Sequence, residues 1–429
     1  MLDLKKKTKE RVILVGAGEK YGKTDCSPCS DPIEELRLLA DTAGAEVVGT
    51  VFQARSLVDV TYYIGKGKVQ ELKEEVERLG ASTVIFDNDL APAQVSNLEE
   101  FLDVKVIDRT GLILDIFALR AKTREAKTQV ELAQLKYLLP RLTRRWTHLS
   151  RQVGGIGVRG PGETQLEVDR RRVRARIAHL SGVLEKIDRQ RSVSRQNRSE
   201  RFKAALVGYT NAGKSTLLNA LSGADVPVED KLFKTLDSVT RLIRFKDAPD
   251  IFLSDTVGFI RDLPHDLVAS FKSTLDEVRD ADVLLHVIDI ANPDWEAQSN
   301  VVHQVLGELG VTNVPVITVF NKIDRVDNLQ IQLSLRSRYP DSITISSAQG
   351  TGLDILREAL KKAAMAGQIT LTLDFGSDES ALLREIYRHA VIRKTEEHGE
   401  IIRLTFTLPV SLARKFHLYD ILSAKLEKS

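Results

Sequence analysis

The chain has little that would cross-link it, anchor it or give it a strong net charge. Of its 429 residues only Cys26 and Cys29 are cysteine, spaced CSPC. Two thiols with no further cysteine cannot form a four-thiolate zinc site, which leaves a redox or shared-metal pair, or two spare thiols in a loop. No run approaches the roughly 18 apolar residues that a spanning helix needs. The opening MLDLKKKTKE has no apolar stretch of the kind a secretory leader carries. These absences lead us to expect a soluble cytoplasmic protein with no membrane span. A content of 42% hydrophobic and 28% charged residues is ordinary for a soluble chain, and the length suits about three domains of roughly 150 residues.

Net charge is also nearly absent, at +2, yet it is unevenly spread. Arg120 to Arg198 holds 20 Lys and Arg against 7 Asp and Glu, a local excess of 13 that leaves the rest of the chain at −11. Asymmetry of this kind points to nucleic acid or ribonucleoprotein contacts.

The most informative stretch is FKAALVGYTNAGKSTLL, Phe202 to Leu218. An apolar strand leads into a glycine-rich turn and then a helix-forming segment. Gly208 and Gly213, followed by Lys214 and Ser215, match GxxxxGKS, in which backbone N–H groups and a helix N-terminus cradle phosphates. The binding segment runs Gly208, Tyr209, Thr210, Asn211, Ala212, Gly213, Lys214, Ser215 and Thr216. Lys214 should reach the β- and γ-phosphates, and Ser215 should take one magnesium position. FLSDTVGF then gives a strand ending in Asp255, a second magnesium holder through water, followed by Thr256, Val257 and Gly258, whose amide can sense a γ-phosphate. Phe259 stands where a Ras-type enzyme has the glutamine that orients water. A phenylalanine cannot do this, so hydrolysis should need a partner, an ordered loop or the substrate phosphate; Phe259 can equally be packed behind the switch. VITVFNKID places Asn321, Lys322 and Asp324 after another strand. Asp324 can accept from guanine N1–H and the N2 amine, an edge adenine lacks. Lys322 should lie along the base, Asn321 should tie this loop to the phosphate loop, and Ser347 with the Ala348 amide should meet guanine O6. Between these motifs, Thr235 and Thr240 both qualify chemically as the switch I magnesium ligand.

Upstream, residues 11 to about 108 alternate short apolar strands with helical segments, which predicts a small α/β domain with a parallel sheet. Its GKT at Gly22–Thr24 follows glycines that are out of step, and DCSPCSDP after it cannot open a helix. YYIGKGKVQEL reads as a helix N-terminus or a turn. From Thr110 the pattern becomes long helices. Leu132, Leu135, Leu139, Leu142, Trp146 and Leu149 form one seam, which Pro140 should kink, and Leu166, Val173, Ile177, Leu180, Leu184 and Ile187 form another. Together they predict an antiparallel hairpin, with the second helix starting near Glu163. The joining VGGIGVRGPGETQ holds five glycines and cannot be helical. It includes Arg159, and after it come Arg170, Arg171, Arg172, Arg174 and Arg176, either a solvated helix face or, beside such a tip, an RNA probe. The fold class expected is α/β: an N-terminal α/β domain over 1–109, a helical hairpin over 110–199, a Ras-like GTPase domain over 200–366 and a small α+β domain over 367–429.

IDRTGLILDIFALRA, TQVELAQLKYLLPRL, GGIGVRGPGETQLEVDRRR, GYTNAGKST, LFKTLD, DTVGFIRDLPHDLV and NKID occur in the order found in HflX-type GTPases, which the chain resembles over nearly its whole length. The resemblance implies GTP hydrolysis with Mg2+, binding to the large ribosomal subunit and its RNA, and splitting or rescue of stalled ribosomes, with the hairpin tip toward the peptidyl-transferase region. It selects Thr235 as the magnesium ligand and makes Lys214, Thr235 and Gly258 the catalytic set. The chain departs from the family's usual TLDPTTR with TLDSVTR. A monomer is expected. A GTPase for another RNA or protein, and a non-catalytic ribosome binder, are the alternatives.

Overall fold

The computed structural model describes residues 9–18, 33–54, 58–143, 161–196, 202–223, 233, 239–245, 249–261, 277–311, 314–326, 335, 337–366, 368–376, 379–398, 401–409, 413, 416 and 418. The GKT at 22–24, Cys26, Cys29, Arg159, the glycines of 154–160 and Thr235 lie outside the described residues.

Alternation of apolar strands and amphipathic helices builds the first unit as expected. β1 (Arg11–Ala17), α1 (Glu34–Ala43), β2 (Glu46–Gln53), α2 (Lys66–Leu79), β3 (Thr83–Phe86), α3 (Pro92–Leu102) and β4 (Lys105–Asp108) follow in order. The strands form a fully parallel sheet in the order β2-β1-β3-β4. β1 and β3 are buried along nearly their whole length, as central parallel strands require. YYIGKGKVQEL proves to be a helix start: Gly65, in extended conformation, is the N-cap of α2.

Next comes α4 (Arg109–Arg120), capped by Asp108, whose carboxylate accepts from the Gly111 amide at 2.8 Å. Its Leu112, Ile113, Ile116 and Phe117 bury themselves against β1 and α1, so the helix that opens the second segment also completes the first core. α5 (Arg124–Leu138) stops two residues short of Pro140: Leu139 still has helical dihedrals and donates to the Leu135 carbonyl, but Pro140 has no N–H with which to continue the ladder. The expected kink is therefore a helix end. α6 (Pro161–Gln196) spans 36 residues, starting two residues earlier than expected. It packs along α5, and Arg176 donates to the Glu131 carboxylate from Nε at 2.7 Å and Nη2 at 3.0 Å. Leu180 is the buried position of its seam.

The third unit contains β5 (Phe202–Gly208), α7 (Lys214–Ser222), β6 (Val239–Ile243), β7 (Ile251–Asp255), β8 (Val283–Asp289), α8 (Trp295–Glu308), β9 (Val316–Asn321), β10 (Ile343–Thr344) and α9 (Leu353–Ala366). The sheet order is β10-β9-β8-β5-β7-β6, with only β6 antiparallel to its neighbour. The C-terminal ends of β5, β7, β8 and β9 therefore meet at one edge, where α/β sheets place their ligands. The last unit is an antiparallel sheet of β11 (Gln368–Phe375), β12 (Val391–His398) and β13 (Ile401–Pro409), with α10 (Ser380–His389).

One apolar cluster joins the first and third units. It runs from Leu14, Ile33, Leu36 and Phe117 to Tyr209, Phe233, Val257, Phe259 and Ile260. The rings of Phe117 and Phe233 meet edge to face at 4.6 Å. At its margin lies Arg109, 2% exposed, bonded to Asp87 at 2.7 Å and to Glu35 at 2.5 Å. Burial opposes the Arg109 charge, but the two carboxylates hold its pKa above the ordinary value. Replacing Arg109 by methionine should cost about 3–5 kcal/mol, because Asp87 would stay buried without its counter-charge. The guanidinium midpoint of the variant measures this, and an unchanged midpoint would contradict it.

Candidate functional site

Two glycines of the loop between β5 and α7 are dictated by close backbone approach. A Cβ on Gly208 would lie 2.3 Å from the Val287 carbonyl oxygen, and one on Gly213 would lie 2.3 Å from Asn321 Nδ2. Gly213, at φ 91°, is also the left-handed N-cap of α7, which turns the loop amides toward the helix axis. Asn211 takes φ 62° as well.

Lys214 is buried, its Nζ donating to the carbonyls of Gly208 at 3.0 Å and Tyr209 at 2.8 Å. Burial lowers its pKa to about 8, and the Asp255 charge works the other way. Ser215 Oγ donates to Asp255 Oδ2 at 2.6 Å, so the hydroxyl and carboxylate predicted from two separate motifs stand together. Both are hard oxygen donors of the type magnesium takes. Thr240 is placed otherwise: it lies on β6, and its hydroxyl shares a 2.8 Å hydrogen bond with Ser254.

The switch strand is only partly as its motif suggests. Gly258 sits against the phosphate loop, since a Cβ on it would be 2.9 Å from Thr210 Cα and 3.1 Å from Lys214 Nζ. Thr256, however, is fully buried and donates to the Leu206 carbonyl at 2.6 Å. Val257 is buried in the cluster that joins the two units, and Ala212 in the core beneath α7. These three side chains serve the core, and only their backbone groups are left to offer a ligand. Phe259 is 2% exposed in the same joining cluster, which is the packed alternative named above.

At the opposite end Asn321 is wholly buried and bridges two loops. Its Nδ2 donates to Ala212 O at 2.9 Å and its Oδ1 accepts from the Ser347 amide at 3.0 Å. Lys322, at φ 64°, pairs with Asp289 at 2.7 Å. Asp324 accepts from Ser346 Oγ at 2.5 Å, and Ser346 Oγ in turn accepts from the Gln349 amide at 3.1 Å. Asp289 and Ser346 were missed from the sequence. The signal for Asp289 was available, since VLLHVID ends in aspartate as FLSD does. Ser346 differs from Ser347 by only one position in SSAQGTG.

His286 on β8 is buried beside His303, ring centroids 5.0 Å apart, and neither of its nitrogens has a hydrogen-bond partner. Burial first, then His303 and Lys214, lower its pKa to about 3. On the flank, Arg171, Arg172 and Arg174 are exposed on α6, with Arg170 half-buried and Arg172 3.6 Å from Asp169. Among the described residues no helix is long and apolar enough to cross a membrane.

Comparison with known proteins places three family models on the chain: "GTP-binding GTPase N-terminal" on residues 30–118, "GTP-binding GTPase Middle Region" on 120–198 and "50S ribosome-binding GTPase" on 203–322. The GTPase HflX of Caldanaerobacter subterraneus subsp. tengcongensis is 51% identical over 82% of this chain and 80% of its own length. The GTPase HflX of Escherichia coli is 44% identical over 86% of this chain and 88% of its own. A solved GTP-binding protein of Sulfolobus solfataricus in complex with GDP is 28% identical, covering 82% of this chain and 98% of that one at a TM-score of 0.44.

Two predictions rest on this geometry. Asp324→Asn should weaken GTP binding on the order of 100-fold by losing two charge-assisted hydrogen bonds and should favour xanthine nucleotides, whose C2 oxygen accepts from the new amide; competition binding with GTP, XTP and ATP reads this, and equal wild-type affinity for ATP and GTP would defeat it. For His286, the folded chain binds fewer protons than the unfolded one between about pH 3 and the ordinary histidine value of 6.5. Its stabilising effect is therefore complete above pH 6.5 and is lost as pH falls through that window, by about 1.4 kcal/mol per pH unit. His286→Leu should flatten this part of the denaturation profile, and an identical slope in the variant would rule the assignment out.

Proposed function

The chain belongs to the HflX family of GTPases and hydrolyses GTP, and from that premise we propose that it is a ribosome-remodelling factor: a cytoplasmic monomer that binds the large subunit and splits or rescues stalled ribosomes. The observation that carries the ribosomal part is the placement of Arg171, Arg172 and Arg174 on exposed turns of a 36-residue helix. Arginine binds phosphate through two N–H groups and stacks on bases, and the local excess of charge is confined to this segment. The family model named for 50S ribosome binding supports the same partner.

In this reading Gly208 to Thr216 wrap the phosphates with backbone amides, and Lys214 neutralises developing charge on the transferred group. Ser215 and Asp255, with Thr235, would hold Mg2+, which when bound neutralises the phosphate oxygens. The Gly258 amide meets the γ-phosphate. Asp324 reads guanine, Ser346 fixes the orientation of that carboxylate, and Ser347 with the Ala348 amide faces O6. Phe259 is packed away from the phosphates and carries no group that could orient water. The attacking water is therefore positioned when the ribosome orders the site, which makes turnover partner-dependent.

GTP turnover with and without purified large subunits tests the proposal directly. Stimulation of about 10-fold or more is expected, comparable to supplying one positioned catalytic group, and no stimulation would favour a different RNA or protein partner. Replacing Arg170, Arg171 and Arg172 with alanine should weaken subunit binding and reduce its salt slope by about one for each phosphate that is no longer neutralised. Light scattering of intact ribosomes with a variant lacking 154–160 separates binding from splitting: equal dissociation by variant and wild type would reduce the glycine segment to a linker.

A further inference from the structure

Lys322 stands in the base loop in a conformation that lysine rarely takes. Its φ of 64° lies in the left-handed region, where a residue with a Cβ is disfavoured and persists only if its surroundings fix it. The loop does so on both sides, since the Ile323 amide donates to Ile345 O at 3.2 Å and the Arg325 amide donates to Lys322 O at 3.0 Å. From this turn the side chain runs back to the end of β8, where Nζ meets Asp289 Oδ2 at 2.7 Å. Asp289 is held in its turn: its Oδ1 accepts from the Ala291 amide at 3.1 Å. The Ile290 amide donates to Asn321 O at 3.1 Å, which ties the end of β8 to the residue just ahead of Lys322. The two side chains are only 14% and 15% exposed, so the pair escapes most of the screening that makes surface ion pairs weak.

The pair belongs to the nucleotide site by position. Lys322 lies two residues before Asp324, and Asp289 shares a cavity of about 570 Å3 with Thr210 and Asn211 of the phosphate loop. A lysine that is free to rotate loses rotamer freedom when it is laid along a base, and that loss subtracts from affinity. Here the ammonium is anchored beforehand, and the methylene stem is stretched between a fixed backbone and a fixed carboxylate. Folding has already done the ordering.

We propose that Asp289 is the positioning residue for Lys322: it holds the lysine stem as a preformed wall of the guanine slot and so sets how long a guanine nucleotide stays bound. This role rests on the assignment of the nucleotide site above and adds to it an acid that lies outside GxxxxGKS, DTVG and NKID. Asp289 acts through the lysine and reads no base edge, so it governs release and leaves the choice of base to Asp324.

Stopped-flow release of fluorescently labelled GDP and of a labelled non-hydrolysable GTP analogue from the full chain tests this in the wild type, Asp289→Ala, Asp289→Asn, Lys322→Ala and the Asp289→Ala/Lys322→Ala double variant. Asp289→Ala should speed the release of both nucleotides about 10-fold, the factor that ordering one long side chain is worth, with the wild-type preference for GTP over XTP retained. Asp289→Asn keeps the shape and one oxygen that can accept from the ammonium, so its release should be intermediate; it also carries the test if the alanine variant fails to fold. The double variant should release no faster than Lys322→Ala. A wild-type rate in either Asp289 variant, acceleration of only one nucleotide, a double variant faster than Lys322→Ala, or an altered preference between GTP and XTP would each overturn the positioning role alone. Absence of guanine-nucleotide binding in the wild type would overturn the site assignment and this role together.

Discussion

A single buried amide holds the two halves of the nucleotide site in register. Asn321 commits its nitrogen to the Ala212 carbonyl of the phosphate loop and its oxygen to the Ser347 amide of the base loop. It comes so close to Gly213 that no side chain fits there. Leaving either partner of such a buried amide unmatched is costly, so the phosphate end and the base end cannot drift apart without breaking it. The parallel sheet makes this possible by delivering β5, β7, β8 and β9 to one edge, each ending in a loop that carries one part of the chemistry.

The GTPase unit does not stand by itself. An apolar cluster and a buried ion triad weld it to the N-terminal sheet, and the side chains it contributes include Tyr209 of the phosphate loop, Phe233 ahead of Thr235, and Val257, Phe259 and Ile260 of the second switch. Packing Phe259 into that seam removes the position from water chemistry and gives it to domain contact. Arg109 plays the polar counterpart: its charge is matched twice inside its own unit, and the Nη2 that bonds Glu35 also donates to the Arg261 carbonyl across the seam.

The nucleotide motifs and the strand–helix alternation of the first unit were legible from local sequence, whereas the seam read through Pro140 with a kink ends at Leu138. The legible features depend on short-range physics: a turn that only glycine can make and a period of burial. The sequence by itself thus determined the α/β architecture, the identity of the nucleotide pocket and the basic helix. Tertiary structure decided the rest. The Tyr209 hydroxyl donates to Glu35 from 174 residues away, and Lys322 meets Asp289 only because β8 and β9 are neighbours. Thr256 reads as a site residue in its motif but folds its hydroxyl onto Leu206. No periodicity or spacing encodes such pairings, because they arise from which faces the packed sheets turn toward each other.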